Sequence, residues 1–559
     1  MEEHGPRTEF GQAMHATKYR GDGESFREAM NRIAGALASG DDFKPFRELL
    51  LHQRFLPGGR IQQAVGGSSS TTAFNCFVSG TIEDSYVDGN GCIMDRAKEA
   101  AQTLRMGGGI GYDFSPIRPR GDPIRKLGSQ ASGPVSFMPI FNAVCEATAS
   151  SGHRRGAQMG TLRIDHPDIE TFIRAKQNED QLRGFNVSVA VTDGFMRALL
   201  HKQDFDLVFA GRSYRTINPR GLWDTLMRST WDWAEPGVIF VDRINALNNL
   251  WYCENICTTN PCGEQPLPPY GACLLGSFNL TKYAGLDGFN WELLRHDVGI
   301  AVRAMDNVID NTTYPLYEQE KEAKTKRRMG LGVTGMANAI EYYGHPYGSE
   351  AFLEMEADIL RILRDEAYRA SAQLAANRGA FPMFAREEYL AGQFVQQLPD
   401  DVRDLIAEHG IRNSHLISIA PTGTISLAAD NVSSGIEPVF AHEVDRIVQT
   451  FDGPTTCRVS DYGAAFMGTH GKTANEVSAD EHLAVLSTAY KFVDSAVSKT
   501  CNVPADMPWE DFKHFYEKAW GLGCKGLTTY QVGGRRKPVI KDAEQSCEID
   551  TVTGRRDCG

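Results

Sequence analysis

The chain of 559 residues is poor in several things that would otherwise define it. It has no run of 18 or more apolar residues, so no membrane-spanning helix is expected. The opening MEEHGPRTEFGQAMHATKYRGDGE is polar and lacks the apolar stretch of a secretory signal; a cytoplasmic protein is expected (the host cytoplasm for a viral source). Only 12 cysteines are present, too few for a disulfide scaffold, so disulfides here point to turnover rather than architecture. Positive charge is also scarce: 58 Lys and Arg against 71 Asp and Glu give −13. No global field draws the chain to nucleic acid or to an anionic membrane, and a polyanionic substrate must be held locally. Low-complexity tracts and internal repeats are missing.

What remains is ordinary globular composition, 42% hydrophobic, 23% charged and 9% aromatic, with material for a large core. Residues 25–55 read as helix from Met30, Ile33, Ala34 and Leu37, and 57–75 as Gly/Ser/Thr-rich loop. Residues 134–149 read as a helix capped at Ser151-Gly152. The apolar runs 185–193, 206–211 and 237–242 read as strands, and 292–311 and 350–377 as long helices. Strands interleaved with helices give an α/β class. We partition the chain into a helical segment 1–55, one large domain 56–533 and a polar tail 534–559.

Several local motifs fail on inspection. Gly109-x-Gly111 is followed by Phe114 rather than glycine, so no dinucleotide fingerprint exists. Gly471-Lys472-Thr473 ends like a phosphate loop, but Phe466 stands where its first glycine is needed. His442-Glu443 has no second histidine at helical spacing. Cys253 and Cys257 are spaced like zinc ligands without a matching pair, and no metal site is expected.

Residues 258–280, TTNPCGEQPLPPYGACLLGSFNL, carry the chemistry. In an extended strand or loop tip, Asn260, Cys262 and Glu264 alternate onto one side, which sets a thiol between an amide and a carboxylate. Pro261 and Gly263 argue for a shaped loop rather than helix. An isolated cysteine would read as packing; this trio, with Cys273 eleven residues on, does not. Separately, PTGTIS (421–426) offers hydroxyls and successive N–H groups that could cap a helix and cradle an anion.

These segments resemble the ribonucleotide reductase large subunits, most closely the adenosylcobalamin-dependent (class II) branch. NPCGEQPLPPYGACLLGSFNL matches the active-site segment. FNCFVSGTIEDS (74–85), LRMGGGIGYDFSPIRPRG (104–121), SGHRRGAQMG (151–160), RRMGLGVTG (327–335), APTGTISLAADNVSSGIEP (420–438) and CKGLTTY (524–530) follow in family order. The resemblance implies a ten-stranded α/β barrel of two five-stranded halves, with a cysteine-bearing finger loop at its centre and a small N-terminal helical region. It implies reduction of ribonucleotides to 2′-deoxyribonucleotides, with diphosphates favoured. Cys262 would become a thiyl radical, Glu264 the general base, Asn260 a substrate anchor, and Cys76 and Cys273 the pair oxidised to a disulfide.

By the same resemblance Thr422, Gly423, Thr424, Ile425 and Ser426 hold substrate phosphates, with Gly108, Gly109 and Asn75 close to the substrate. A deoxynucleotide effector would meet Asp84, Ser85 and Tyr86, with Arg105 and Arg118 near its phosphates, in a region spanning about 80–160. Gly152, His153, Arg154, Arg155 and Gln158 would form the loop that relays its identity. A homodimer is expected, since the 185 residues between Cys76 and Cys262 leave no room for the insertion of monomeric members. The 75 residues before Cys76 are too few for the family's ATP-binding cone, so none is expected. Cys547 and Cys558 fit a tail pair that passes oxidation to thioredoxin or glutaredoxin, although a hairpin clip or a metal site would use the same residues. The other cysteines, Cys92, Cys145, Cys457, Cys501 and Cys524, read as packing.

Three radical sources exist in the family. The glycyl-radical class lacks the carboxylate, and Glu264 is present. The metal-subunit class uses adjacent tyrosines near the C-terminus, and here Thr529 precedes a single Tyr530. Adenosylcobalamin is therefore the expected cofactor. The alternatives are a minimal class I-like subunit that needs a separate radical-generating partner, or a non-catalytic nucleotide-binding homologue.

Overall fold

The computed structural model describes residues 4–67, 71–149, 156–177, 181–450 and 453–531, together with the paired short strands Glu548–Ile549 and Arg556–Asp557. Gly152, His153, Arg154, Arg155, Cys547 and Cys558 lie outside the described residues, as does the Ser151-Gly152 cap.

A mixed 10-stranded sheet organises the chain. Its strands are β1 (Phe55–Pro57), β2 (Cys76–Val78), β3 (Gly109–Asp113), β4 (Gln158–Arg163), β5 (Phe185–Val191), β6 (Gly237–Phe240), β7 (Ala272–Asn279), β8 (Met329–Thr334), β9 (Thr500–Val503) and β10 (Gly526–Gln531). Strands β2 to β6 pair in parallel, in chain order. Helices fill the crossovers: Ile93–Arg105, Met138–Ala149, Ile169–Ile173 and Pro219–Trp233. This is the geometry a parallel pair demands, because its connection must run back along the sheet. A second parallel set comprises β7, β8, β9 and β10, joined through residues 417–419. That extended segment bridges Leu331 of β8 through Ile417, and Val497, just before β9, through Ile419. The two sets meet antiparallel at β2/β7 and at β6/β10. The hydrogen-bonded path therefore closes on itself as two five-membered halves, the barrel expected from the resemblance. Strand β1 extends the line of β2 along β7.

All eight residues of β7 are buried, as its apolar run requires of a strand covered on both faces. The helices Trp291–Asp310 and Glu350–Arg378 pack on each other outside the barrel. No described helix is long and apolar enough to cross a membrane.

The continuous helix expected over 25–55 is two helices, Phe26–Leu37 and Phe43–Leu51, with Gly40 at φ +56° between them. Ser25 and Glu28 form a capping box that fixes the first start. The loop expected over 57–75 contains the helix Gly59–Ala64. The strand read at 237–242 stops at Phe240, and Val241–Ala246 is helical; a short apolar run carries no period to separate the two.

Candidate active site

The finger is a narrow hairpin inside the barrel. Thr258 pairs with Leu267 and Thr259 with Pro266. The Asn260 N–H donates to Gln265 O (3.1 Å), and the Gly263 N–H to Asn260 O (3.1 Å). Asn260 Oδ1 accepts from the Gln265 N–H at 2.9 Å. Gly263 adopts φ +82°, a conformation that suits glycine. The tip is thus a turn, and the strand alternation expected for Asn260, Cys262 and Glu264 does not apply. Asn260 and Glu264 are 2% and 1% exposed, whereas Cys262 is exposed at the tip.

Both halves of the barrel hold the finger. From the first, Asn186 Nδ2 donates to Pro261 O (2.8 Å) and the hydroxyls of Thr161 and Thr258 meet at 2.7 Å. From the second, Ser418 Oγ donates to Glu264 O at 2.9 Å and the Ala496 N–H at 3.0 Å. At Gly111 an added Cβ would lie 1.9 Å from Thr259 O, so strand and finger touch backbone to backbone.

Cys76 and Cys273 stand directly opposite each other where β2 meets β7. Both are buried thiols, in a small apolar cluster with Val78, Leu267, Leu275 and Ala420. The finger brings its polar groups to them. Asn260 Nδ2 donates to Cys76 Sγ (3.1 Å), and the Cys76 thiol faces Glu264 Oε1 at 3.6 Å, across 188 positions of sequence. Burial pushes the Cys76 thiol well up, reinforced by Glu264, Cys273 and Cys262 as negative neighbours. Burial raises Cys273 also, but there the next influence is Arg328, which lowers it. Burial raises the Glu264 carboxyl, against hydrogen bonds from Asn260, its own backbone N–H and Cys76. Glu264 Oε2 and Asn75 Oδ1 are buried without a hydrogen-bond partner among the described residues. Such atoms are costly unless a ligand completes them. A buried carboxyl, an amide and two thiols converge beneath an exposed third thiol.

Thr422 adopts φ +54° and opens the short helix Gly423–Ala428. Its hydroxyl is held by Thr334 Oγ1 (3.0 Å) and the Gly435 N–H (2.8 Å). Gly423 and Thr424 are exposed, while Ile425 and Ser426 are buried. Ala420, two residues earlier, packs with Cys76 and Cys273, so this turn rises directly from the thiol cluster. The Gly109 N–H donates to Asn75 O at 2.9 Å. A Cβ at Gly108 would meet the Phe77 ring, and one at Gly109 would meet Pro261.

Asp84 and Arg118 come together: the Arg118 N–H and Nε donate to the carboxylate at 3.0 and 2.7 Å. Ser85 Oγ caps the Asp88 N–H, and Tyr86 is exposed with its ring 5.8 Å from that of Phe137. Arg105 is exposed at the end of the helix Ile93–Arg105. Gln158 does not sit on a loop. It opens β4, fully buried, accepting from Tyr112 OH (2.8 Å) and donating to Phe141 O (3.2 Å). Thr529, before Tyr530, is buried with its hydroxyl 3.0 Å from that of Tyr516. Sequence reasoning passed over Asn186, Ser418, Gln265 and Arg328; only Gln265, beside Glu264, carried a local signal.

The family model described as the ribonucleotide reductase barrel domain matches residues 74–454 and 467–530. A vitamin B12-dependent ribonucleoside-diphosphate reductase of Mycobacterium tuberculosis (strain CDC 1551 / Oshkosh) is 34% identical over 569 residues, covering 93% of this chain and 78% of that protein. A protein of the same description from Thermoplasma acidophilum is 34% identical over 572 residues, covering 95% of this chain and 71% of the relative.

Proposed function

The chain belongs to the ribonucleotide reductases, and on that premise we propose that Cys262 abstracts the substrate's 3′-hydrogen while Cys76 and Cys273 supply the two electrons. The reaction converts ribonucleotides, as diphosphates, to 2′-deoxyribonucleotides for DNA synthesis. The observation that carries the assignment of roles is the placement of Asn260 and Glu264 against Cys76, itself opposite Cys273, at the root of a tip that exposes Cys262. Hydroxide leaves an unactivated carbon poorly, so the 2′-OH must depart from a radical. A thiyl at Cys262 can make that radical, since the S–H bond formed is similar in strength to the C–H bond broken. Glu264 takes the 3′-OH proton with its unpartnered oxygen, and Asn260 holds the ribose in register. The thiols then become a disulfide as the 2′ oxygen leaves as water. The turn at Thr422 to Ser426 seats the phosphates, with Asn75 and the backbone at Gly108 and Gly109 beside the ribose.

The named relatives are vitamin B12-dependent, and we take adenosylcobalamin as the cofactor here. The site suits a group that acts from outside: Cys262 is exposed, and a Cβ on Gly263 beside it would meet nothing within 4 Å. When bound, the cobalamin supplies the one-electron oxidant for Cys262; Cys262 and the backbone at Gly263 are the residues that would face it. Thr529, engaged with Tyr516, offers no aromatic step beside Tyr530. Our reading also places a deoxynucleotide effector at Asp84, Ser85, Tyr86, Arg105 and Arg118, a homodimer around that site, and thioredoxin or glutaredoxin as reductant through Cys547 and Cys558. The purified chain, given adenosylcobalamin, a ribonucleoside diphosphate and dithiothreitol, should form deoxynucleotide, and Cys262→Ser should not. No product from the wild-type chain would overturn the cobalamin reading.

A further inference from the structure

Cys273 has two strand neighbours. On one side is Cys76. On the other, β7 and β8 run parallel in register from Leu274↔Met329 to Asn279↔Thr334. One residue before that first pair stand Cys273 and Arg328, so the row Cys76, Cys273, Arg328 crosses β2, β7 and the residue that leads into β8. Residues level on neighbouring parallel strands share a face. Gly330, two residues along β8, confirms which face: a Cβ there would meet Gln265 Nε2 of the finger at 2.6 Å. Arg328 is 2% exposed. Its guanidinium donates to Glu322 Oε1 (2.5 Å) and to Glu254 Oε1, and Lys326 pairs with Glu254 at 2.8 Å and with Glu322 at 3.1 Å.

The two thiols therefore differ. Cys76 faces an acid and an amide, whereas Cys273, its thiol donating to Leu274 O at 3.3 Å, stands level with a cation on the next strand. Asp494, Glu264 and Glu322 also act on Cys273, each against ionisation, but Arg328 is the strongest charged influence on it. Removing electrons from such a pair one at a time passes through an anion. A hydrogen atom leaves one thiol for the substrate radical. The second thiol gives up its proton as its sulfur bonds the first, forming a disulfide radical anion. One electron then passes to the substrate and leaves the disulfide. Two electrons and two protons leave the pair in all, and the substrate radical of the established reaction is the oxidant.

We propose that Arg328 is a positioning residue for this intermediate, holding its negative charge at Cys273 while the proton departs on the Cys76 side, toward Glu264. A buried anion in an apolar cluster is otherwise severely penalised, and a buried opposite charge on the neighbouring strand, level with Cys273, offsets that penalty. The inference rests on reading Cys76 and Cys273 as the reductant pair.

The test needs neither cofactor nor substrate. Full-length protein with Cys547→Ser and Cys558→Ser is oxidised, and peptide mapping establishes the Cys76–Cys273 disulfide. Pulse radiolysis in formate then adds one electron from the carboxyl radical anion, and the absorption of the disulfide radical anion is followed. Because a neighbouring charge shifts such equilibria by 1–3 decades, Arg328→Met should shorten the lifetime by about tenfold or more, while Arg328→Lys stays within about threefold of wild type. Glu322→Gln, which removes a neutralising partner and keeps the arginine, should lengthen it. If Arg328→Met does not fold, Arg328→Lys and Glu322→Gln still decide: a lifetime at the wild-type value in Glu322→Gln, or a tenfold loss in Arg328→Lys, overturns the proposal. Equal lifetimes in folded Arg328→Met and wild type overturn it as well. Failure of the disulfide to form in the wild-type chain would instead remove the reductant-pair reading beneath it.

Discussion

Replacing Gly111 by alanine tests how tightly the barrel sets the finger. The new Cβ would lie 1.9 Å from Thr259 O and 2.9 Å from its carbonyl carbon. Both are backbone atoms, so no side chain can swing aside. A carbon resting on a carbonyl oxygen needs about 3.3 Å, so β3 and the finger must part by roughly 1.4 Å. Thr259 adjoins Asn260, and the displacement passes directly to Asn260, Cys262 and Glu264. A misplacement of about 1 Å in a positioned site costs on the order of 100-fold in rate, and overpacking costs about 1–3 kcal/mol in stability. We expect kcat to fall about 100-fold in initial-rate assays at saturating nucleotide, with KM within about threefold because the turn at 422–426, proposed to seat the phosphates, lies on the other half of the barrel. Gly263→Ala is the contrast in fold stability: its Cβ meets no protein atom within 4 Å, so the cost to the finger itself is that of the left-handed backbone, about 1–2 kcal/mol. A Gly111→Ala enzyme with kcat within about threefold of wild type and an unchanged thermal midpoint would refute the claim that this contact sets the geometry.

Cys76→Ser should still permit hydrogen abstraction, seen as release of isotope from the 3′ position, yet abolish multiple turnover; sustained turnover with dithiothreitol would refute its role. Glu341 accepts the Lys472 and Tyr347 N–H groups at 3.0 and 3.1 Å, and burial pushes its carboxyl up to about 7. The folded chain thus holds a proton that the unfolded chain releases near the ordinary carboxylate value, so stability falls as pH rises through that window. The loss is about 1–3 kcal/mol by pH 8. Thermal midpoints of Glu341→Gln should show a flatter decline between about pH 5 and 8 than wild type; parallel curves would refute this. Cys558→Ser should lose turnover driven by thioredoxin while keeping turnover driven by dithiothreitol, and equal loss of both would contradict a shuttle role.

The finger was legible because its chemistry is local: Asn260, Cys262 and Glu264 are spaced within five residues, and their types announce a thiol between an amide and an acid. Their disposition was not, since the turn closed by Gly263 buries two of them and exposes the third. Barrel closure was invisible to periodicity. It depends on residues 417–419, which make single bridges to β8 and to Val497 rather than a full ladder. Gln158 reads as loop because it abuts the loop motif, yet the Tyr112 hydroxyl and the Phe141 carbonyl claim its amide inside the core. The cluster of Glu254, Glu322, Lys326 and Arg328 looks like solvated charge in sequence; only folding brings the segments before the finger and before β8 together and takes their charges out of water.

The long separation of the thiols has a structural reason. Parallel neighbours in one half of the barrel belong to one run of crossovers, whereas Cys76 and Cys273 come from different halves and meet only where those halves join antiparallel. At such a joint, opposed residues have Cα atoms about 4.5–5.5 Å apart, within the 4.4–6.8 Å that a disulfide spans, so oxidation needs no movement of β2 or β7. The same joint makes the pair asymmetric. Beyond Cys76 lies β3, whose glycines admit the finger with its acid and amide. Beyond Cys273 lies β8, which enters the sheet behind Lys326 and Arg328. The acid and amide on one side and the arginine on the other are therefore set on opposite sides of one sulfur pair by strand order, and exchanging the two cysteines' neighbours would require a different barrel.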